Sequence, residues 1–306
     1  EKLTLYSGNY DFFIKNHNEI LKFKQSIVKK EEAKKARIRT FVERFRAKAS
    51  KAKQAQSRLK ALERMQSKPQ FRNTKVNNFY IPSSKILAPP IINLSNVSVG
   101  YGEKVILNNL NVRIDPEDRI ALLGANGQGK STFSKLLAGK LLPQTGTIIK
   151  TRKLKIGYFS QDLVESLSFE KTAYEHIEKS IPNNGKGDVI SKLALGGITD
   201  SQIEIPVKNL SGGQKARLAI LLATINAPNL LILDEPTNHL DIESREALAT
   251  ELNLFSGAIL LVSHDPYLID LVATELWLVK NNSVTRFESD LDSYQNLLLA
   301  GDINVK

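Results

Sequence analysis

A lysine and a serine stand near the end of a glycine-bearing run, Gly124-Ala125-Asn126-Gly127-Gln128-Gly129-Lys130-Ser131-Thr132. The short apolar stretch Arg119–Leu123 precedes it, and a helical pattern over Lys130–Ala138 follows, with Phe133, Leu136 and Leu137 inward. A strand that turns through glycines into a helix presents backbone N–H groups and the positive end of the helix dipole to phosphate. In that setting Gly127 and Gly129 let the amides converge. Lys130 is then expected to bridge the β- and γ-phosphates, and Ser131 to offer its hydroxyl to Mg2+.

Three more stretches follow in the order such a loop requires. Leu230–Leu233 is an apolar strand that ends in Asp234-Glu235-Pro236. A carboxylate at a buried strand end is costly unless it meets a cation, and Mg2+ is the expected one for Asp234. Glu235 is expected to polarise the attacking water; the plainer alternative is a helix cap after a strand. Leu210-Ser211-Gly212-Gly213-Gln214 opens a helix predicted over Lys215–Asn226. Ser211, Gly212, Gly213 and Gln214 would again present amides to an anion. One nucleotide cannot use both helix starts of one ordinary domain, so this one is expected to face a nucleotide held by a partner domain. His264 follows the strand Ala258–Val262, on the edge where open α/β sheets bind ligands, and is a candidate for the γ-phosphate. Gln161 follows the strand Lys155–Phe159 and could contact Mg2+ or the water. Tyr101, in Val99-Gly100-Tyr101-Gly102, could stack on adenine. Each of these three has an ordinary structural alternative: a strand-end histidine, a solvated amide, a turn aromatic over the core.

The elements that must hold these residues read as alternating strands and helices from Ile91 onward. Gln161–Leu210 turns helical around a break at Pro182-Asn183-Asn184-Gly185, as an inserted helical subdomain would. Residues 69–90 carry Pro69, Pro82, Pro89 and Pro90 and read as an extended linker. From Asn9 to Lys68 there is neither Gly nor Pro, and good helix formers dominate. Ile38, Phe41, Phe45, Ala49, Ala52, Ala55, Leu59 and Leu62 trace one apolar stripe. A lone rod could not bury that stripe, so a helical hairpin is expected over 18–68, with its turn near Lys48–Lys53. Leu3-Thr4-Leu5-Tyr6 and Asp11-Phe12-Phe13 align at one offset with Val284-Thr285-Arg286-Phe287 and Asp292-Ser293-Tyr294. Residues 1–17 are therefore expected to be the tail of a preceding domain of the same kind.

Charge follows this division. The 306-residue chain carries a formal +11, yet Lys22–Arg64 alone holds sixteen Lys/Arg against four Glu. A near-neutral body is thus joined to a basic segment, which points to a polyanionic partner. Ala33–Arg39 and Ala47–Arg58 mix charge with small residues and suit approach to a phosphate backbone; simple solvation is the alternative. The absence of cysteine excludes disulfides and thiolate metal sites. The longest apolar run, Leu218–Ala223, is far short of a bilayer span.

Together these motifs resemble the ABC ATPase superfamily over residues 91–306: Walker A at Gly124–Thr132, the Q-loop at Gln161, the signature at Leu210–Gln214, Walker B at Leu230–Glu235, the switch histidine at His264. Pro236-Thr237-Asn238-His239-Leu240-Asp241 and the basic stretches Arg44-Phe45-Arg46-Ala47-Lys48-Ala49 and Gln54-Ala55-Gln56-Ser57-Arg58 resemble the ABC-F subfamily. The resemblance implies an α/β fold: an ABC-type P-loop nucleotide-binding domain with a helical subdomain, preceded by a long basic α-helical hairpin. It implies a cytoplasmic ATPase using ATP and Mg2+ on the ribosome. Gly124, Asn126 and Thr132 would join the nucleotide contacts, and Asp241 would connect two sites. Arg44, Arg46, Lys48, Lys51, Lys53 and Arg58 would meet tRNA and rRNA. The partner cassette would be an N-terminal ABC domain of the same protein or a second copy of this chain. A transporter's nucleotide-binding subunit and a DNA-associated ABC ATPase are the rival expectations.

Overall fold

In the computed structural model, residues 80–299 are described apart from Ser83 and His239. The expected tail over 1–17, the hairpin over 18–68 with its six RNA-facing residues, and most of the linker lie outside the described residues. Contacts divide the chain into Glu1–Thr74 and Lys75–Lys306, and every described residue belongs to the second unit.

Continuous apolar runs can be buried on both faces, and they build the central sheet. Its strands are β3 (Arg119–Leu123), β5 (Ile156–Phe159), β6 (Leu230–Asp234), β7 (Ala258–Val262), β8 (Glu275–Lys280) and β9 (Ser283–Phe287), in the order β5-β6-β7-β3-β8-β9. All neighbours are parallel except β8 and β9. The strands expected at Arg119–Leu123 and Ala258–Val262 form with those bounds. A second, antiparallel sheet has the order β2-β1-β4, from β1 (Ile92–Tyr101), β2 (Lys104–Ile114) and β4 (Thr145–Lys150).

Side-chain alternation assigns each strand residue to one face. Leu230 and Ile232 join Ile120, Leu122 and Leu260 in a cluster with α1 (Lys130–Leu137), whose Phe133, Leu136 and Leu137 also meet the antiparallel sheet. Leu231 and Leu233 face the other way, with Ala121, Leu123 and Leu261. There they pack against α6 (Gly212–Thr224), α7 (Ile242–Leu254), α8 (Pro266–Val272) and α9 (Leu291–Leu299). Each fully buried Leu or Ile in these layers contributes about 1.5–3 kcal/mol relative to exposure. The helical subdomain consists of α2 (Gln161–Glu165), α3 (Ala173–Ser180), α4 (Lys186–Leu195) and α5 (Asp200–Ile203). It has its own cluster around Ile177, Val189 and Leu193, to which α6 lends Leu218 and Leu221.

α6 begins three residues earlier than the sequence predicts. Gly212 and Gly213 are poor helix formers, but the Ser211 cap outweighs their cost and draws both into the first turn. Residues 80–82 and 84–90 form neither helix nor strand but are tied to the domain. Ile81 is buried, the Tyr80 amide donates to Leu195 O at 3.0 Å, and Asn229 Nδ2 donates to Lys85 O at 2.9 Å.

Candidate active site

The parallel strands β3, β6 and β7 end at one edge of the sheet, and each is followed there by polar residues. After β3 the chain enters the glycine run. Gly127 and Gly129 take positive φ of 79° and 104°. Gly129 is the N-cap of α1, with no side-chain cap bond. A Cβ there would come within 3.0 Å of Ile106 and Leu107, so both conformation and space require glycine. Lys130 is buried, and its Nζ donates to Gly124 O at 2.6 Å and Ala125 O at 3.1 Å. Burial lowers its pKa, while Glu235 and Asp234 act to keep it charged. Thr132 is buried two residues further into the helix, and Asn126 is exposed on the loop.

Alternation along β6 puts Asp234 on the same face as Ile232, the face that α1 covers. Its buried carboxylate lies beside the Ser131 hydroxyl. Burial raises the Asp234 pKa; the Ser131 hydroxyl and then Lys130 pull it back. A carboxylate, a hydroxyl and a neighbouring ammonium offer hard oxygen donors of the kind Mg2+ uses alongside phosphate oxygens. Among the described residues there is no cluster of three or more His, Cys, Asp or Glu able to hold a metal without such help.

Glu235 leaves β6 at a φ of +52°, an uncommon conformation for a residue with a side chain. Its amide donates to Val262 O at 2.9 Å, which ties the turn to the end of β7. Burial raises the carboxylate's pKa, and the nearby backbone of His264 acts the other way. Its Oε1 is buried without a hydrogen-bond partner among the described residues. His264 Nε2 lies 3.2 Å from Asn126 Oδ1 and 3.6 Å from Glu235 Oε1. Burial and then Lys130 lower the His264 pKa, so the ring is neutral near pH 7. The structure therefore brings Asn126, Lys130, Ser131, Asp234, Glu235 and His264 together.

The remaining candidates make other contacts. Gln161 opens α2 just past β5, is exposed, and donates from Nε2 to Glu165 Oε1 at 2.9 Å. Tyr101 ends β1 and is 50% exposed. Ser211 and Gln214 form a reciprocal capping box: the Ser211 hydroxyl accepts from Gln214 N at 3.3 Å, and Gln214 Oε1 accepts from Ser211 N at 2.8 Å. Gly212 and Gly213 form the first turn behind this box. Since α6 and α1 cover opposite faces of the sheet, their starts do not converge on one ligand within this domain. Asp241 caps α7, with Oδ1 accepting from Ser244 N at 2.8 Å; the Ser244 side chain first, and then this backbone bond, lower its pKa.

Two arginines in this region carry no motif and were not anticipated from the sequence. Arg217 on α6 donates to Ser244 Oγ at 2.6 Å. Arg245 on α7 donates to Leu240 O at 3.1 Å and pairs with Asp265 at 3.6 Å, the residue after His264. They join the start of α7 to α6 and to the histidine turn.

Comparison with known proteins agrees with this geometry. The family described as "ABC transporter" matches residues 107–238, and a second family of the same description matches 1–79. "Probable ATP-binding protein YheS" of Escherichia coli (strain K12) is 38% identical over 293 residues, 96% of this chain and 46% of that protein. "ATP-binding cassette sub-family F member 3" of Homo sapiens is 41% identical over 300 residues, 97% of this chain and 42% of that protein. The chain thus spans less than half the length of the curated relatives it matches. Among solved structures, the dimeric ADP- and Pi-bound post-hydrolysis state of the ATP-binding cassette MJ0796 aligns at a TM-score of 0.55 and 23% identity. The alignment covers 65% of this chain and all of that one, a likeness of fold.

Proposed function

Because the chain belongs to the ABC-F family of ATP-binding cassette proteins, we propose that it binds and hydrolyses ATP as one of two cassettes closed face to face. The observation that carries this reading is the buried, unpartnered Glu235 Oε1 opposite His264, beside the Lys130–Ser131–Asp234 group. On nucleotide binding, Lys130 exchanges the carbonyls of Gly124 and Ala125 for phosphate oxygens. Ser131 and Asp234 would hold Mg2+, which when bound neutralises phosphate charge. Glu235 orients and deprotonates the attacking water. The raised pKa suits that role, because a base works best when its pKa lies near the working pH. His264, aimed by Asn126, donates toward the γ-phosphate. Ser211, Gly212 and Gly213 face the nucleotide of the other cassette. Gln161 reports on the cation, Tyr101 stacks on adenine, and Asp241 links the two sites.

We further propose that the basic segment from Lys22 to Arg64 addresses this ATPase to the ribosome in the cytoplasm, with Arg44, Arg46, Lys48, Lys51, Lys53 and Arg58 on tRNA and rRNA. Its charge supports a nucleic-acid partner. No helix among the described residues is long and apolar enough to cross a membrane. The test is the full-length protein carrying Glu235→Gln. Accumulation of that variant with ribosomes in an ATP-dependent manner supports the reading; co-sedimentation with membranes or with duplex DNA instead overturns it.

A further inference from the structure

The last helix reaches the nucleotide loop from behind. The backbone N–H of Gly124, the first residue of the loop, donates to the hydroxyl of Tyr294 on α9 at 3.0 Å. Tyr294 is only 7% exposed, and its ring meets Phe287 of β9 edge-on at 6.1 Å. Gly124 itself has a φ of +143°, and a Cβ there would come within 2.6 Å of the Val279 carbonyl oxygen. A hydroxyl from α9 therefore holds the loop's first amide, and the β8 backbone leaves no room for a side chain there.

The consequence concerns which amides are free. A buried N–H already bonded to a phenol is not offered to a phosphate. Gly124 thus belongs to the foundation of the loop, and the cradle begins after it. Burial raises the Tyr294 pKa, so the phenol stays neutral at ordinary pH.

We infer that Tyr294 is a positioning residue for nucleotide binding: its hydroxyl anchors Gly124 and thereby pre-sets the phosphate loop. The inference rests on the nucleotide-binding reading above and adds to it a dependence on the C-terminal helix. Without the hydroxyl, the loop samples wider arrangements before binding, and part of the affinity is lost to ordering it. The bond-breaking groups Glu235 and His264 are not touched.

The test uses the full-length protein with Tyr294→Phe, which keeps the ring against Phe287 and removes only the oxygen. The expected result is a loss of MgATP affinity of about two- to tenfold, the size of one hydrogen bond. Turnover at saturating ATP stays at the parent value, and amide exchange in the peptide containing Gly124 accelerates. Ile177→Val, in the separate helical cluster, is the control for general loss of stability. Equal affinity and unaltered loop exchange in Tyr294→Phe, alongside loss of binding in Lys130→Ala, would overturn the inference and leave the nucleotide reading intact. A matching affinity loss in Ile177→Val would also overturn it. Normal binding by Lys130→Ala would remove the nucleotide reading itself, and this inference with it.

Discussion

The starts of α1 and α6 are both rich in glycine, and they treat their free amides in opposite ways. At α1, Gly129 provides no side-chain cap, and the preceding loop turns through positive φ so that its amides converge. At α6, Ser211 and Gln214 satisfy each other's amides in a closed box. The first start is left open, as the proposed phosphate site requires. The second has its Ser211 and Gln214 amides already bonded within the box, and it lies on the other face of the sheet. A glycine-rich helix start is therefore not enough to define a phosphate site; on the proposed reading, the capping state separates a start that grips its own domain's nucleotide from one that adds to a partner's site.

The largest effect expected lies in the chemistry that neither helix start supplies. Glu235→Gln should lower hydrolysis by the full-length protein by about 10²–10⁴-fold, the usual range for a lost general base, with ATP still bound. Retained hydrolysis, measured by phosphate release, would transfer the base role to another group.

Lys130→Ala probes the open start directly. Removing charged hydrogen bonds to phosphate should weaken ATP binding by about ten- to hundredfold in equilibrium titration. The contrast breaks if Lys130→Ala binds ATP as tightly as the parent, since the open start would then not hold the nucleotide.

Two glycine substitutions should differ in sign. Gly129→Ala forces a side chain into a left-handed conformation and should destabilise by about 1–2 kcal/mol. Gly213→Ala, within the first turn of α6, should stabilise by about 0.5–1 kcal/mol. Denaturant melts of the full-length variants measure both. If Gly213→Ala also raises thermal stability while hydrolysis falls, α6 meets its ligand only from across a domain interface.

The smallest effect is in pH. Because burial raises the Glu235 pKa in the folded protein, the folded state binds its proton more tightly than the unfolded chain does. Its contribution to stability is present at low pH and is lost as pH rises through the folded pKa. Glu235→Gln should therefore melt higher than the parent at neutral pH, with the difference shrinking as pH falls. The same shift moves the acid limb of the hydrolysis profile above the ordinary glutamate range. A difference in melting temperature that grows toward acid would contradict the burial argument.

How much of this was legible before folding depends on the range of the interaction. Arg119–Leu123 and Ala258–Val262 were readable because short apolar runs bounded by polar residues have few other uses. The order of the glycine run, Asp234-Glu235 and His264 was readable because each follows such a strand at the sheet edge. The start of α6 was placed late, because intrinsic propensity argues against Gly212 and Gly213 and cannot see the capping box override it. Asp241 could have been identified as a cap because an Asp just before a helical run is a favoured N-cap, a local signal. Arg217, Arg245 and Tyr294 left no such trace.

Local chemistry, then, was written in the residue order: which loop can grip phosphate, which carboxylates end buried strands, where the basic charge lies. Partnership between distant residues was not. That Asn126 aims His264, that Ser131 meets Asp234, and that Tyr294 backs Gly124 across 170 positions depends on how strands align and which face each helix covers. Backbone preferences act over a few residues, whereas these contacts exist only once burial of the two sheet faces has brought separate segments to one edge.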